Sequence, residues 1–228
     1  VIDLSIDSKG YSMMEGFLPE HEVADLVNFV EQGFPADCRR GGVRNLLDFP
    51  RMRLLANSSE ILRSVEAILG DGARVVRGIL FDKTEDANWK VPWHQDVTIA
   101  VNERVEAVGY GPWSTKAGVL HVQPPASVLE RMISVRLHLD DCPVENGALR
   151  VIPGSHTNGK LSERLIQELA NRSIVVTCEM QSGGALMMRP LLLHASSASS
   201  LPGHRRVIHF DYAVAELAQG ISWKEFQA

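Results

Sequence analysis

Beyond residue 73 the chain breaks into short β-branched or alternating segments: ARVVRGILFDKT, PWHQDVTIAV, RMISVRLHLDD, ALRVIPGSH, SIVVTCEM, GALMMRPLLLHA and RRVIHFDYAVA. Clusters of Gly, Pro, Asn and Ser separate them, with no regular alternation of strand and helix. Parallel strands need long, usually helical crossovers, so this texture points to an antiparallel all-β core, a sandwich or a barrel. Two amphipathic helices precede it. In LPEHEVADLVNFVEQGF, Val23, Leu26, Val27 and Val30 recur at helical spacing and Gly33 closes the segment. SSEILRSVEAILG offers Ser58 or Ser59 as N-cap and Gly70 as its end. A third helix fits GKLSERLIQELANR. With no repeat, low-complexity tract or linker in 228 residues, one domain over residues 1–228 is expected, mainly β with N-terminal helices.

Charge narrows the partners. The formal net charge is -5 and both signs are spread along the chain, so no basic surface answers a phosphate backbone, and nucleic acid is not expected. Apolar runs such as GALMM and PLLLHA fall well short of the roughly 20 residues of a membrane-spanning helix, and no secretory signal opens the sequence. Cys38, Cys142 and Cys178 are odd in number and irregularly spaced, against a disulfide framework or a zinc knuckle. A cytoplasmic location is the expectation; the oligomeric state is left open.

The stretch VPWHQDVTIAV sets His94 and Asp96 two apart in an otherwise apolar, β-forming run. Residues two apart on a strand share a face, so an imidazole nitrogen and a carboxylate oxygen can converge on one metal ion. A buried His–Asp hydrogen bond gives the same pattern. His194, at the end of MMRPLLLHASS, is the candidate third ligand, and the next segment carries Arg205 and Arg206 into a β-branched run, where a guanidinium needs an anionic partner. The segments 184–195 and 205–213 are expected to pair across SSASSLPGH. Two histidines and a carboxylate leave coordination positions open, as in non-haem Fe(II) oxygenases.

With those residues in view, the sequence resembles the phytanoyl-CoA dioxygenase family of Fe(II)/2-oxoglutarate-dependent oxygenases along nearly its whole length. The likeness lies in GYSMMEGFLPEHEVADL, in LFDKT ahead of WHQD, in DDCPVENGALRVIPGSH and in the LLLHASSASS…RRVI ending. The resemblance implies a double-stranded β-helix, a cupin-like jelly roll, with Fe(II) held by His94, Asp96 and His194. It also implies 2-oxoglutarate and O2 as cosubstrates, with the distal carboxylate of 2-oxoglutarate on Arg205 and Arg206 as the fallback. Gln95 and Ser196 match further cosubstrate contacts, although strand alternation points Gln95 away from the metal. Where well-known members carry tryptophan, this chain has Arg136. Arg136, His138 and Asp140 share a face on ISVRLHLDD, either a solvated outer face or the wall of the site.

The reaction this implies is hydroxylation of a small metabolite at an unactivated C–H bond, with release of succinate and CO2. Retention of Asp96 separates the chain from halogenases, which have a small residue there. Pocket walls are expected from Met14, Trp93 and Trp113 and from a Gly/Pro-rich, irregular, lid-like insertion at about 102–126, a mixture that suggests a partly apolar substrate. Two rivals use the same ligands: a cupin-like metal hydrolase or isomerase with a metal-bound water, and a non-catalytic jelly-roll binding module.

Overall fold

The structure, a computed structural model, describes residues 5–34, 42–201 and 203–225. Its elements run α1 (Ile6–Lys9), β1 (Tyr11–Met14), α2 (Glu20–Gly33), β2 (Val43–Arg44), α3 (Pro50–Ala56), α4 (Ser59–Leu69), β3 (Arg74–Lys83), β4 (Val91–His94) and β5 (Ile99–Val101). There follow β6 (Trp113–Lys116), β7 (Val119–Val122), α5 (Ala126–Leu129), β8 (Met132–His138), β9 (Leu149–Val151), α6 (Glu163–Arg172), β10 (Val176–Cys178), β11 (Ala185–Met188), β12 (His194–Ser196) and β13 (Arg205–Ala213).

A six-stranded sheet, β1-β11-β8-β13-β3-β2, faces a four-stranded one, β10-β9-β12-β4. From β3 onward the chain passes back and forth between them: β3, β8, β11 and β13 lie in the large sheet, β4, β9, β10 and β12 in the small one. All of these pairings are antiparallel. This winding is the double-stranded β-helix, or jelly roll. It corrects two expectations. GALMMRPLLLHA is not one strand, because the turn at Arg189–Leu191 sends β11 to the large sheet and β12 to the small one. For the same reason segments 184–195 and 205–213 do not pair across their loop; β12 and β13 belong to opposite sheets.

Strand alternation gives the large sheet two unlike faces. One carries Leu80, Ile133, Val135, Leu137, Met187, Ile208, Phe210 and Tyr212, which form a single buried cluster with Leu26 and Val30 of α2, Met52 and Leu55 of α3, and Ile61 and Val65 of α4. Burying an aliphatic side chain of this size is worth about 1.5–3 kcal/mol, so the helices are held by that face. The Tyr212 hydroxyl reaches through it to donate to the Ala56 carbonyl at 2.7 Å. The other face turns Lys83, Ser134, Arg136, Arg205, His209 and Asp211 towards the small sheet, and every one of these side chains is buried. A strand with an apolar side against helices and a charged side against the interior is built to hold a site.

The stretch at 102–126, expected to be irregular, contains the hairpin of β6 and β7, which joins β5 in a three-stranded sheet. Ala117 (φ 48°) and Gly118 (φ 76°) make its two-residue turn in the left-handed region, the conformation that matches the twist of two hairpin strands. Val101 and Val122 bury themselves there with Val128, Leu129 and Trp223. The Gly and Pro residues punctuate this hairpin instead of dissolving it. Cys142 and Cys178 are buried and free; Cys38 lies outside the described residues. No helix among the described residues is long and apolar enough to cross a membrane.

On the helix side of β13, Arg206 donates to Asp140 through Nε (2.9 Å) and Nη2 (2.6 Å) and to Glu31 of α2 through Nη1 (2.8 Å). This ties the sheet to the helix layer. Arg206→Ala is expected to lower the stability to urea by about 2 kcal/mol, less than for a fully buried pair because Glu31 is half exposed. Ligand binding on the opposite face should be unaffected.

Candidate active site

His94 closes β4 and His194 opens β12, and the two are cross-strand partners. Their rings therefore sit side by side with centroids 4.2 Å apart. Asp96 lies just past the end of β4, where its backbone N–H donates to the Pro190 carbonyl at 2.9 Å and fixes the turn. The strand stops before Asp96, yet the carboxylate still faces both imidazoles: Oδ1 is 3.9 Å from His94 Nε2 and Oδ2 is 3.7 Å from His194 Nε2.

Each imidazole spends Nδ1 on a carbonyl, His94 on Pro92 (2.9 Å) and His194 on Leu192 (2.8 Å). A carbonyl only accepts, so Nδ1 carries the proton and both Nε2 lone pairs point at the Asp96 carboxylate. The three ligand atoms lie within 4.8 Å of one another, so a small side-chain adjustment would bring all three to one ion at bonds of about 2.0–2.2 Å. Burial pushes His194 down to about 4, which keeps Nε2 unprotonated. Burial alone would raise Asp96, but His194, Arg77 and His94 outweigh it and hold the carboxyl below its ordinary value. The donor set fits a divalent metal.

Facing this triad from the large sheet is a cationic wall. Arg205 and Lys83 are directly opposed on β13 and β3, and Arg136 stands on the neighbouring β8. Like charges opposed across strands repel, and no carboxylate pairs with any of the three among the described residues. Arg205 donates through Nη1 to the Gly147 carbonyl, and Lys83 reaches the Ser197 carbonyl (2.7 Å) and Ser196 Oγ (3.2 Å). Glycine is required at 147: its φ is +70°, and a Cβ there would lie 2.5 Å from the Ser197 carbonyl oxygen. The Nε atoms of Arg136 and Arg205 are buried with no hydrogen-bond partner. Both arginines line the cavity, so each brings to it a guanidinium whose donors are not all used.

Behind the wall runs a chain of hydrogen bonds. Arg136 Nη1 donates to His209 Nδ1 at 3.1 Å. A guanidinium cannot accept, so the His209 proton sits on Nε2, which donates to Asp211 Oδ1 at 2.8 Å. Asp211 also accepts from Ser134 Oγ at 2.6 Å and from Arg77 Nε at 2.5 Å. Against its own burial, Arg77 and His209 hold the Asp211 carboxyl far below the usual range.

The cavity measures about 260 Å3, and His94, Asp96, His194, Ser196, Arg136 and Arg205 all line it. Of the two readings of the Arg136 strand, Arg136 and His138 face inward; Asp140 does not share their face, because β8 ends at His138 and Asp140 bonds Arg206. Gln95 is not in the cavity. Its Nε2 donates to the Gly159 and Leu191 carbonyls and its Oε1 accepts from Leu161 N–H, so it locks loops together, as alternation implied.

Trp93, Trp113 and Met14 also lie elsewhere. Trp93 stacks under Arg150 in a separate surface cavity beside α6, Trp113 packs in the insertion cluster, and Met14 packs against the helix-side core. The cavity is rich in cations, with Arg44, Arg77 and Lys116 also in its lining. Lys83 went unread in the sequence, where a lysine closing LFDKT looks like an exposed strand end. Only its register opposite Arg205 turns it inward.

A family model described as Phytanoyl-CoA dioxygenase (PhyH) matches residues 6–207. Among solved structures, the chain is similar to EctD from S. alaskensis with 2-oxoglutarate and 5-hydroxyectoine, at 22% identity and TM-score 0.68, covering 92% of this chain and 73% of that one. It is similar to HygX from Streptomyces hygroscopicus with nickel and 2-oxoglutarate bound, at 20% identity and TM-score 0.63, covering 91% and 83%. It is also similar to the epimerase SnoN in complex with Fe3+, alpha ketoglutarate and nogalamycin RO, at 18% identity and TM-score 0.68, covering 91% and 80%. No curated protein matches the chain.

Burial, and then the neighbouring Arg205, lower Lys83 from 10.5 to about 7. Between those values the unfolded chain holds a proton that the folded protein has released, so stability rises with pH across the window. Lys83→Met removes this dependence. The urea midpoint of the wild type should gain on that of Lys83→Met from pH 7 to 10.5 and run parallel to it below pH 6. A constant difference throughout would show that Lys83 titrates at its ordinary value.

Proposed function

The chain belongs to the phytanoyl-CoA dioxygenase family, and on that premise we propose that it is an Fe(II)/2-oxoglutarate-dependent oxygenase that hydroxylates a small molecule at an unactivated C–H bond. The observation that carries this reading is the buried pair Arg205 and Arg136, each with an unpartnered Nε, facing a metal-competent triad across the cavity. His94, Asp96 and His194 would hold the metal, while Arg205 and Arg136, with Lys83 beside them, would receive the distal carboxylate of the cosubstrate. Fe(II), 2-oxoglutarate and O2 together supply the oxidising power, with succinate and CO2 as products.

The chain's own contribution is positional. Asp211 and His209 hold Arg136 by hydrogen bonds at fixed geometry, and Gly147 holds Arg205. A cosubstrate anchored at both ends cannot turn, which reserves the remaining space for the substrate carbon. A hydrolase or cupin-like isomerase would use the same triad but would have no use for a wall of buried cations that costs desolvation energy without an anion to face. A binding module would not need three convergent ligand atoms. The fold itself hosts several outcomes; retention of Asp96 as a third ligand supports oxygen insertion over halogenation.

Removing one partner of a desolvated charge pair costs on the order of 2–5 kcal/mol. Arg205→Ala should therefore weaken 2-oxoglutarate binding by roughly thirtyfold or more while metal binding, followed by equilibrium dialysis, stays near the wild-type value. Arg205→Lys should recover only part of the loss, because an ammonium cannot make two parallel hydrogen bonds. Asp96→Ala should do the reverse and abolish metal retention first. Unchanged 2-oxoglutarate affinity in both Arg205→Ala and Arg136→Ala would sink the cosubstrate assignment and favour the hydrolase.

A further inference from the structure

The cavity has a second cationic end, which the triad and the cosubstrate leave unused. Arg77 lies six residues before Lys83 on β3, about 20 Å along the strand at 3.3 Å per residue. Beside it stand Arg44 on the edge strand β2, paired with Ile79, and Lys116 at the tip of the insertion hairpin. All three line the same cavity as His94 and Asp96. Asp96 favours the charged form of both Arg77 and Arg136, so the triad is within reach of both groups of cations.

Charge accounting at this end does not close. Arg77 is satisfied by Asp211 at 2.5 Å. Arg44 has no ion pair or hydrogen bond among the described residues, and Lys116 Nζ touches only the hydroxyl of Thr98, at 3.2 Å. Of the other acids lining this cavity and the adjoining one, Asp96 belongs to the triad and Glu225 is paired with Lys224 at 3.2 Å. Burial and mutual repulsion lower both groups, Arg44 by Arg77 and Lys116 by Arg77 and then Arg44. Cations gathered in a concave, partly buried place in excess of its carboxylates concentrate positive potential there. A ligand that brings its own negative charge removes that cost. The cations also come from three separate elements, so their meeting is not the by-product of one amphipathic strand.

We infer that the substrate of this site is an anion, a carboxylate or a phosphate ester, whose charged group is gripped by Arg44 and Lys116 at the end of the cavity remote from Arg205. This rests on the oxygenase reading above and names its substrate class. It adds a charged group to the partly apolar substrate expected from the sequence; Trp93, Trp113 and Met14, from which that expectation was drawn, lie outside the cavity, but Ile79, Phe81, Trp89, Val91 and Leu149 line it. Held there, a small acid directs its hydrocarbon part towards the triad. Because Lys116 belongs to the insertion hairpin, substrate charge would also fasten that hairpin over the cavity.

The test uses the full chain loaded anaerobically with Fe(II) and saturating 2-oxoglutarate, so that the Arg205 end is occupied, and titrated by calorimetry with methyl phosphate and, separately, butyrate. One of the two should bind saturably to the wild type, and which one does distinguishes phosphate ester from carboxylate. Arg44→Ser and Lys116→Ser should each weaken that binding by about tenfold or more, with Lys116→Arg close to wild type. The affinity for 2-oxoglutarate should stay within about twofold in all three variants, which also reports that they are folded. Absence of binding by both anions in the wild type, or equal binding in Arg44→Ser and Lys116→Ser, overturns the inference. If the wild type does not bind 2-oxoglutarate, it is the cosubstrate reading that fails. The anion site is then decided by the same titration in the wild type, Arg44→Ser and Lys116→Ser, since only the loss in those two variants reads that end.

Discussion

The site hangs on one buried carboxylate. Asp211 accepts from Arg77, Ser134 and His209 at once, and through His209 it fixes the guanidinium of Arg136. Three donors to one carboxylate in a dry interior make a network in which each bond strengthens the next. They also explain how the inner face of the large sheet can be charged at all. Without Asp211, Arg77 would be a desolvated charge with no partner, and such a charge is costly enough to unseat a strand. With it, Arg77 is neutralised and Arg136 is held in place, so that the inner face of the sheet can carry charge towards the cavity.

That arrangement depends in turn on the two-faced character of β3, β8 and β13. Each strand spends alternate residues on the helix layer, where Leu80, Val135, Phe210 and Tyr212 are fully buried, and the intervening residues on the cavity. The apolar half stabilises the fold and the polar half is paid for by it. Arg205 and Arg206 show the rule at its sharpest: one guanidinium is turned to the cavity with an Nε left over, while its neighbour is fully engaged by Asp140 and Glu31 on the helix side. A shift of one residue in β13 would exchange the two and destroy both the tie to α2 and the anion wall.

The small sheet does the complementary task. Antiparallel pairing of β4 with β12 sets His94 against His194, and the turn bond from Asp96 to Pro190 brings the third ligand round after the strand has ended. Backbone carbonyls two residues before each histidine select its tautomer. The metal-facing geometry is therefore fixed by main-chain hydrogen bonds, which side-chain substitutions elsewhere scarcely perturb.

Much of this is written in the sequence because it is local. Period-two alternation marked the strands, helical periodicity marked α2, α4 and α6, and HxD with a distant histidine before an arginine-bearing strand marked the candidate ligands, since spacing of two on a strand is a statement about a face. What depends on how distant segments meet was not legible. Lys83 becomes part of the wall only because β3 pairs with β13 in a register that sets it opposite Arg205. Asp211 is an ordinary aspartate until Arg77, 134 residues away in sequence, reaches it. The tryptophans that looked like pocket walls were assigned by chemistry without direction, and the direction of a side chain at a strand end is set by which sheet the strand joins. The chain alone decided which residues could bear charge or bind a metal; the winding between two sheets decided which of them share one cavity, because only tertiary pairing makes neighbours of residues that the sequence keeps apart.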